Sequence, residues 1–220
     1  MEALVLLGPP GAGKGTAAAV VSARFDLLHL STGELFRQAM REESDIGEAI
    51  RPYMDKGRLV PDDMVMNVIS HVIAETDCGG RLLFDGFPRT MPQAEAFDLI
   101  LADRESRVTD ALLLSADREL LIQRLSGRQV CPECRAIFHS RYKPPAVAGT
   151  CDACGAGLAQ RGDDHDAAIH RRLEIHERLT APVEAYYADR GILHRVDANG
   201  STEAIVEAIL RRLKPSPGNS

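Results

Sequence analysis

The chain of 220 residues is 45% hydrophobic and 26% charged, a composition typical of a globular protein with enough apolar residues for a core. Its formal net charge of −6 argues against the broadly basic surface that nucleic-acid binding requires, so no nucleic-acid partner is expected. No apolar run approaches the roughly 20 residues that cross a bilayer, and the first residues lack the basic segment of a secretion signal, so we expect a cytoplasmic protein without a membrane partner.

Short apolar runs alternate with amphipathic segments along the chain, which favours an α/β fold with a parallel sheet. The apolar runs predict strands at 3–7, 27–30, 82–85, 111–114 and 192–196. The amphipathic segments predict helices near 14–24, 31–42, 46–56, 62–76, 92–102, 117–126, 166–189 and 202–213. Ser31, with Glu34 three residues later, has the form of a capping box, and Asp117 and Ser201 are further predicted N-caps.

A glycine-rich run at 8–16, Gly-Pro-Pro-Gly-Ala-Gly-Lys-Gly-Thr, follows the first predicted strand and leads into a predicted helix. It matches G-x-x-x-x-G-K, in which backbone N–H groups converge on nucleotide phosphates and the lysine reaches the β- and γ-phosphates. A glycine-rich turn with an incidental lysine is the alternative. The residues predicted to bind ATP phosphates are Gly11, Ala12, Gly13, Lys14, Gly15 and Thr16.

Magnesium binding requires an acid elsewhere, because Gly15 stands where the general motif has a metal-binding hydroxyl and Thr16 comes one place later. Asp85 ends an apolar run and is expected to project from the carboxyl edge of the sheet, where α/β proteins bind ligands. It is therefore the predicted Mg²⁺ residue, acting through water. A simple cap of the following turn is the alternative.

The stretch from 128 to 164 interrupts the alternation, because it is rich in glycine, proline and cysteine and lacks helical periodicity. It is predicted to be an insertion with its own small fold. Two C-x₂-C pairs separated by sixteen residues match the zinc-ribbon spacing, and four thiolates predict a structural Zn²⁺ site. Two disulfides, an unmetallated thiol set and iron remain alternatives, and Cys78 has no partner by spacing. The predicted zinc ligands are Cys131, Cys134, Cys151 and Cys154.

Three motifs, in this order, resemble the adenylate kinases: the loop form G-x-P-G-x-G-K-G-T, Ser31-Thr32-Gly33, and Asp85-Gly86-Phe87-Pro88-Arg89-Thr90. The resemblance covers nearly the whole chain and implies a P-loop NTPase-type core, a five-stranded parallel sheet flanked by helices, formed by 1–30, 61–127 and 165–214. It also implies two mobile inserted subdomains, one binding the monophosphate at 31–60 and a lid at 128–164, with a flexible tail at 215–220. The implied activity is reversible phosphoryl transfer from Mg-ATP to AMP, giving two ADP, by a monomer.

The resemblance also implies an AMP site. The guanidinium groups of Arg37 and Arg89 suit bidentate binding of the AMP phosphate, and the amide of Gln93 offers a donor and an acceptor to an adenine edge. Glu34 departs slightly from the pattern, since many relatives have aspartate there. The residues implied to bind AMP are Thr32, Arg37, Arg58, Leu59, Val60, Gly86, Phe87, Pro88, Arg89, Gln93, Arg161 and Arg172.

Fixed cations are expected between the two nucleotides, because phosphoryl transfer depends on positioning and charge neutralisation. The resemblance implies a catalytic set of Lys14, Arg89, Arg128, Arg161 and Arg172. Further ATP contacts are implied for Arg124, Arg128, Ile137, Phe138 and Gly200, with Arg124, Ile137 and Phe138 near the adenine. Asp163 and Asp164 are implied to hinge and anchor the lid by pairing with arginines or with ATP hydroxyls.

Two other functions are alternatives. The first is a kinase for UMP, CMP or GMP. The second is a P-loop ATPase whose zinc ribbon is a binding module, although a lid that excludes water favours transfer over hydrolysis.

Overall fold

The computed structural model describes residues 2–76 and 80–213, and within these ranges a five-stranded parallel sheet has the order β2-β3-β1-β4-β7. Its strands are β1 (Glu2–Leu7), β2 (Leu27–Ser31), β3 (Arg81–Asp85), β4 (Arg107–Ser115) and β7 (Leu193–Asp197). The α/β class and all five predicted strands are confirmed, but β4 begins four residues before its predicted start at 111. Its first residues are partly exposed and lack the continuous apolar pattern that identifies a buried parallel strand.

The helices that connect the strands fall close to their predicted positions. They are α1 (Lys14–Phe25), α2 (Thr32–Arg41), α3 (Asp45–Met54), α4 (Asp62–Glu75), α5 (Met91–Ala102), α6 (Arg118–Ser126), α7 (Asp166–Ile175), α8 (Ala181–Asp189) and α9 (Thr202–Leu210). The single helix predicted at 166–189 is instead two helices separated by a π-helical turn, His176–Thr180. Pro182 lies just beyond this turn and has no N–H to continue an α-helical hydrogen-bond ladder.

The predicted N-caps have different outcomes. Ser201 caps α9, since its hydroxyl accepts a hydrogen bond from Ala204 N–H at 3.3 Å. Ser31 and Asp117 precede α2 and α6 as predicted, but neither side chain accepts a capping hydrogen bond. The capping-box prediction was therefore wrong in its bonding, because the Glu34 carboxylate pairs with arginine side chains instead.

Alternate residues of β1 pack into two apolar clusters on opposite faces of the sheet. Val5 and Leu7 face a cluster that includes Phe84, while Leu4 and Leu6 face the other cluster. A strand buried on both faces is what a central parallel strand requires. Because all strands run the same way, their carboxyl ends meet at one edge, where the loops after β1, β2 and β3 gather.

The cysteine-bearing insert, residues 128–164, forms a second sheet. Its strands β5 (Arg128–Val130) and β6 (Ile137–His139) pair antiparallel. Val130 and Ala159 then exchange two backbone hydrogen bonds of 2.8 and 3.0 Å, which tie the two ends of the insert together. The predicted tail at 215–220 and Cys78 lie outside the described residues. No helix in the described ranges is long and apolar enough to cross a membrane.

Candidate active site

The glycine-rich loop connects β1 to α1 at the carboxyl edge of the sheet. Gly8 has φ of 130°, and a Cβ there would lie 2.2 Å from Leu114 O, so only glycine fits the turn. Lys14 Nζ donates hydrogen bonds to the carbonyl oxygens of Gly8 and Pro9 at 2.7 and 2.9 Å. Burial lowers the pKa of Lys14 to about 8, an effect that the negative charge of Asp85 partly offsets. The ammonium group is thus held over the glycine-rich loop, where the sequence analysis predicts the nucleotide phosphates.

Asp85 ends β3 beside this loop. A Cβ on Gly15 would lie 3.2 Å from Asp85 Oδ2, so the carboxylate occupies the space above the residue that replaces the usual Ser/Thr. Desolvation would raise the pKa of Asp85, but nearby His29 (Nε2–Oδ2 3.7 Å), Lys14 and Arg89 outweigh it and lower that pKa. An ionised carboxylate beside a phosphate loop suits Mg²⁺, which prefers oxygen ligands.

A cavity opens between this loop, α2 and the segment after β3. It is lined by Lys14 and by every residue predicted to bind AMP except Arg161. The structure therefore brings residues that lie far apart in the sequence, from Thr32 to Arg172, to one place next to the phosphate loop. Further lining residues that the sequence analysis did not single out include Met54, Gly57, Ile175, His176 and Thr180.

The orientation of Gln93 is fixed by its neighbours. Its side chain is buried, Oε1 accepts from Arg89 N–H at 2.8 Å, and Nε2 donates to Asp62 Oδ1 at 2.7 Å. Thr90 also donates to Asp62, at 3.0 Å. One amide N–H and one oxygen lone pair remain for a ligand. Asp62 was missed by sequence reasoning, because a carboxylate at the start of a predicted helix gives no sign of a partner 31 residues away.

The two arginines predicted to bind the AMP phosphate both line the cavity. Arg89 Nε donates to Gly86 O at 2.7 Å, and Arg37 Nε pairs with Glu34 Oε2 at 3.2 Å. Burial, followed by repulsion from Arg172, lowers the pKa of Arg89 to about 10, so the group remains cationic at neutral pH.

A buried ion-pair network joins the insert to the core. Asp164 is fully buried and accepts two hydrogen bonds from Arg128, Nε–Oδ2 at 2.6 Å and Nη2–Oδ1 at 2.7 Å. Arg172 Nη1 donates to the same carboxylate at 2.8 Å and pairs with Asp163 at 3.1 Å. Burial, then repulsion from Arg128, lowers the pKa of Arg161 to about 9. The predicted pairing of both aspartates with arginines is present.

The residues predicted near the ATP adenine are only partly brought together. Arg124 donates to the carbonyl oxygens of Ala198 and Gly200 at 2.7 and 2.9 Å, which places Arg124 and Gly200 side by side. Phe138 packs into a small apolar core inside the insert, whereas Ile137 is half-buried. An adenine contact through Phe138 or Ile137 stays a prediction.

The four cysteines of the insert lie close together, two of them buried and two exposed. Their Sγ atoms all lie within 4.8 Å of one another, and the pairs Cys131–Cys154 and Cys134–Cys151 are 3.4 Å apart. All four are free thiols. Tetrahedral Zn–S bonds of about 2.3 Å would set the sulfurs about 3.8 Å apart, so this cluster fits a four-coordinate metal. The four cysteines can therefore bind a metal ion.

The two cysteine turns repeat the same backbone pattern. The carbonyl of Cys131 accepts from Arg135 N–H at 3.0 Å, and that of Cys151 accepts from Gly155 N–H at 2.9 Å. Both donor residues have positive φ, 63° and 77°. Each turn thus contributes a pair of thiols to the same four-sulfur cluster.

Comparison with known proteins agrees with this geometry. The family model described as adenylate kinase matches residues 6–192. The chain is 44% identical to an adenylate kinase of Moorella thermoacetica over 96% of this chain and 97% of the relative. It is 43% identical to one from Caldanaerobacter subterraneus subsp. tengcongensis, over 96% and 95% of the two chains, and 41% identical to one from Clostridium acetobutylicum, over 94% and 96%. The family match over most of the chain and these identities show that the chain belongs to the adenylate kinase family.

Proposed function

We propose that the protein transfers a phosphoryl group reversibly between Mg-ATP and AMP, giving two ADP, and so balances the adenine nucleotides of the cytoplasm. Phosphoryl transfer to a nucleoside monophosphate is the chemistry of its family. One observation carries the finer proposal. The cavity that holds the predicted AMP residues also includes Lys14 of the phosphate loop, so both substrates' phosphates can meet there.

Such a site promotes phosphoryl transfer mainly by neutralising the charge of the two nucleotides. Two nucleotide polyanions repel each other, and cations fixed in advance remove that barrier without reorganising during the reaction. Lys14 would neutralise the β- and γ-phosphates of ATP, and Arg37 and Arg89 the AMP phosphate. The remaining guanidinium groups, those of Arg128, Arg161 and Arg172, would surround the transferring phosphoryl group.

The reaction needs no covalent enzyme intermediate. An AMP phosphate oxygen attacks the γ-phosphorus in line, and the bond from that phosphorus to the β–γ bridging oxygen breaks, leaving the electron pair on ADP. Asp85 would hold the Mg²⁺ of Mg-ATP through water, and the ion would supply further neutralisation of phosphate charge. The insert would act as a lid that excludes water, since its Asp164 pairs with Arg172, which lines the cavity.

We propose further that the four cysteines hold a structural Zn²⁺. The insert has only a small apolar core around Cys131, Cys151 and Phe138, so metal binding would supply much of its folding energy. Elemental analysis should give one zinc per chain. A fully active protein without metal would refute this role.

An acceptor panel tests the proposed reaction. ADP formation from Mg-ATP is measured with AMP, UMP, CMP or GMP, and with no acceptor as the control for hydrolysis. AMP should give a kcat/KM at least about tenfold higher than any other monophosphate, a difference of about 1.4 kcal/mol in transition-state binding. Comparable turnover with UMP would refute the acceptor, and comparable phosphate release without acceptor would indicate an ATPase.

A further inference from the structure

His176 begins the π-helical turn between α7 and α8, which the sequence did not predict. The turn closes where Ala181 N–H donates to the His176 carbonyl, five residues back. Turns of this kind are rare and frequently occur at functional sites. Here both ends of the turn, His176 and Thr180, line the cavity that also contains most of the predicted AMP residues.

The imidazole of His176 has an unused polar atom. Nε2 is buried and has no hydrogen-bond partner among the described residues. A buried polar atom without a partner destabilises a fold, so each one in a native structure requires an explanation. The charged groups that act on this imidazole are Lys14 of α1 and Arg89 of the segment after β3. Both cations already donate to backbone carbonyls of their own loops.

The imidazole is neutral in this environment. Burial lowers the pKa of His176 to about 3, with help from the positive charges of Lys14 and Arg89. A neutral imidazole carries one N–H donor, and an anionic phosphate accepts such a donor strongly. It can therefore bind phosphate without adding positive charge to a site in which the cations already repel one another.

We propose that His176 binds the monophosphate substrate directly, with Nε2–H donating a hydrogen bond to one of its phosphate oxygens. This role rests on the proposed function and assigns a further substrate contact to the same site. Lys14 of the phosphate loop lines the same cavity, but most of the polar groups that share the lining with His176 are those predicted to bind AMP, among them Arg37, Arg89 and Gln93, so we assign the monophosphate as the occupant. Among the described residues, those predicted on the ATP side of the insert, Arg128, Ile137 and Phe138, do not line it.

The test compares nucleotide affinities of three variants by isothermal titration calorimetry. His176→Leu removes the donor, His176→Gln keeps an amide N–H near the position of Nε2, and His176→Asn carries an amide too short to reach it. His170→Leu is the matched control, since His170 is an exposed histidine on α7. We expect His176→Leu and His176→Asn to weaken AMP binding about tenfold or more, the usual effect of losing a hydrogen bond to a charged group. ATP affinity should not change, and His176→Gln should bind AMP nearly as the unmodified protein does.

The outcomes separate this inference from the proposed function. Equal AMP affinity for His176→Leu and the unmodified protein would overturn the role of His176 while leaving the function intact. If the leucine variant melts too low to titrate, equal AMP affinities for the glutamine and asparagine variants overturn it instead. An unmodified protein that binds no AMP would refute the proposed function itself.

Discussion

Replacing Asp164 by asparagine would test the ion-pair network that joins the insert to the core. The carboxylate is fully buried and accepts from two guanidinium groups, three hydrogen bonds of 2.6, 2.7 and 2.8 Å in all. Asparagine has the same shape but turns one of the two oxygens into an N–H donor. Whichever way the amide is oriented, at least one N–H of Arg128 then faces another donor, and the charge that pairs with Arg128 and Arg172 is lost.

The size of the effect follows from burial. Removing one partner of a buried ion pair costs about 3–5 kcal/mol. Arg128 and Arg172 retain 17% and 18% of their side-chain exposure and can recover some hydration, so the lower end applies. A loss of about 3 kcal/mol corresponds to a fall of roughly 6–12 °C in Tm, because each kcal/mol shifts a protein of this size by roughly 2–4 °C.

Differential scanning calorimetry at pH 7 measures this shift. The matched control is Asp166→Asn, which changes an exposed carboxylate two residues away and should move Tm by no more than about 2 °C. If Asp164→Asn changes Tm by no more than the control variant does, the network contributes no net stability.

Two further predictions concern the metal site and the phosphate loop. Cys151→Ser should abolish zinc binding and lower Tm, because a structural metal contributes its binding free energy to folding. The control variant, Cys78→Ser, should retain one zinc per chain. Retention of zinc by both variants would contradict the assignment of the four zinc ligands. The kcat/KM of the free enzyme should fall as the pH rises above about 8, because Lys14, with its pKa lowered to about 8, loses its proton there. Lys14→Met should lose most activity at every pH without a lower Tm. The control variant Lys56→Met, at an exposed lysine, should keep the pH profile of the unmodified protein. A Lys14→Met variant with the pH profile of the unmodified protein would refute the role of the ammonium group.

The strands were predictable because a parallel sheet buries both faces of its strands. That burial makes β1 and β3 continuous apolar runs, and each is followed by a residue of the site at the carboxyl edge. The phosphate loop and the cysteine spacing were equally visible, since both are local patterns whose residue types are dictated by phosphate and metal chemistry.

The features that could not be predicted from the sequence depend on contacts between distant segments. The capping box at Ser31 failed because arginines compete for the Glu34 carboxylate, and periodicity alone cannot weigh that competition. The break at His176–Thr180 lies inside an otherwise regular helical pattern. Asp62 and His176 carry no local motif, so their proximity to Gln93 and to the phosphate loop appears only once the chain is folded.

The paired backbones of Val130 and Ala159 have a consequence for how this protein can be altered. The chain leaves the core and returns to it at neighbouring points. The structure of the core therefore does not depend on how many residues lie between those points. A longer or shorter segment could therefore replace the one between Val130 and Ala159 without disturbing the parallel sheet. The same holds for a segment stabilised by side-chain packing in place of thiolates. Resistance to heat or to chelators could then be altered within this one segment, as long as the adenine contacts predicted for Ile137 and Phe138 are kept.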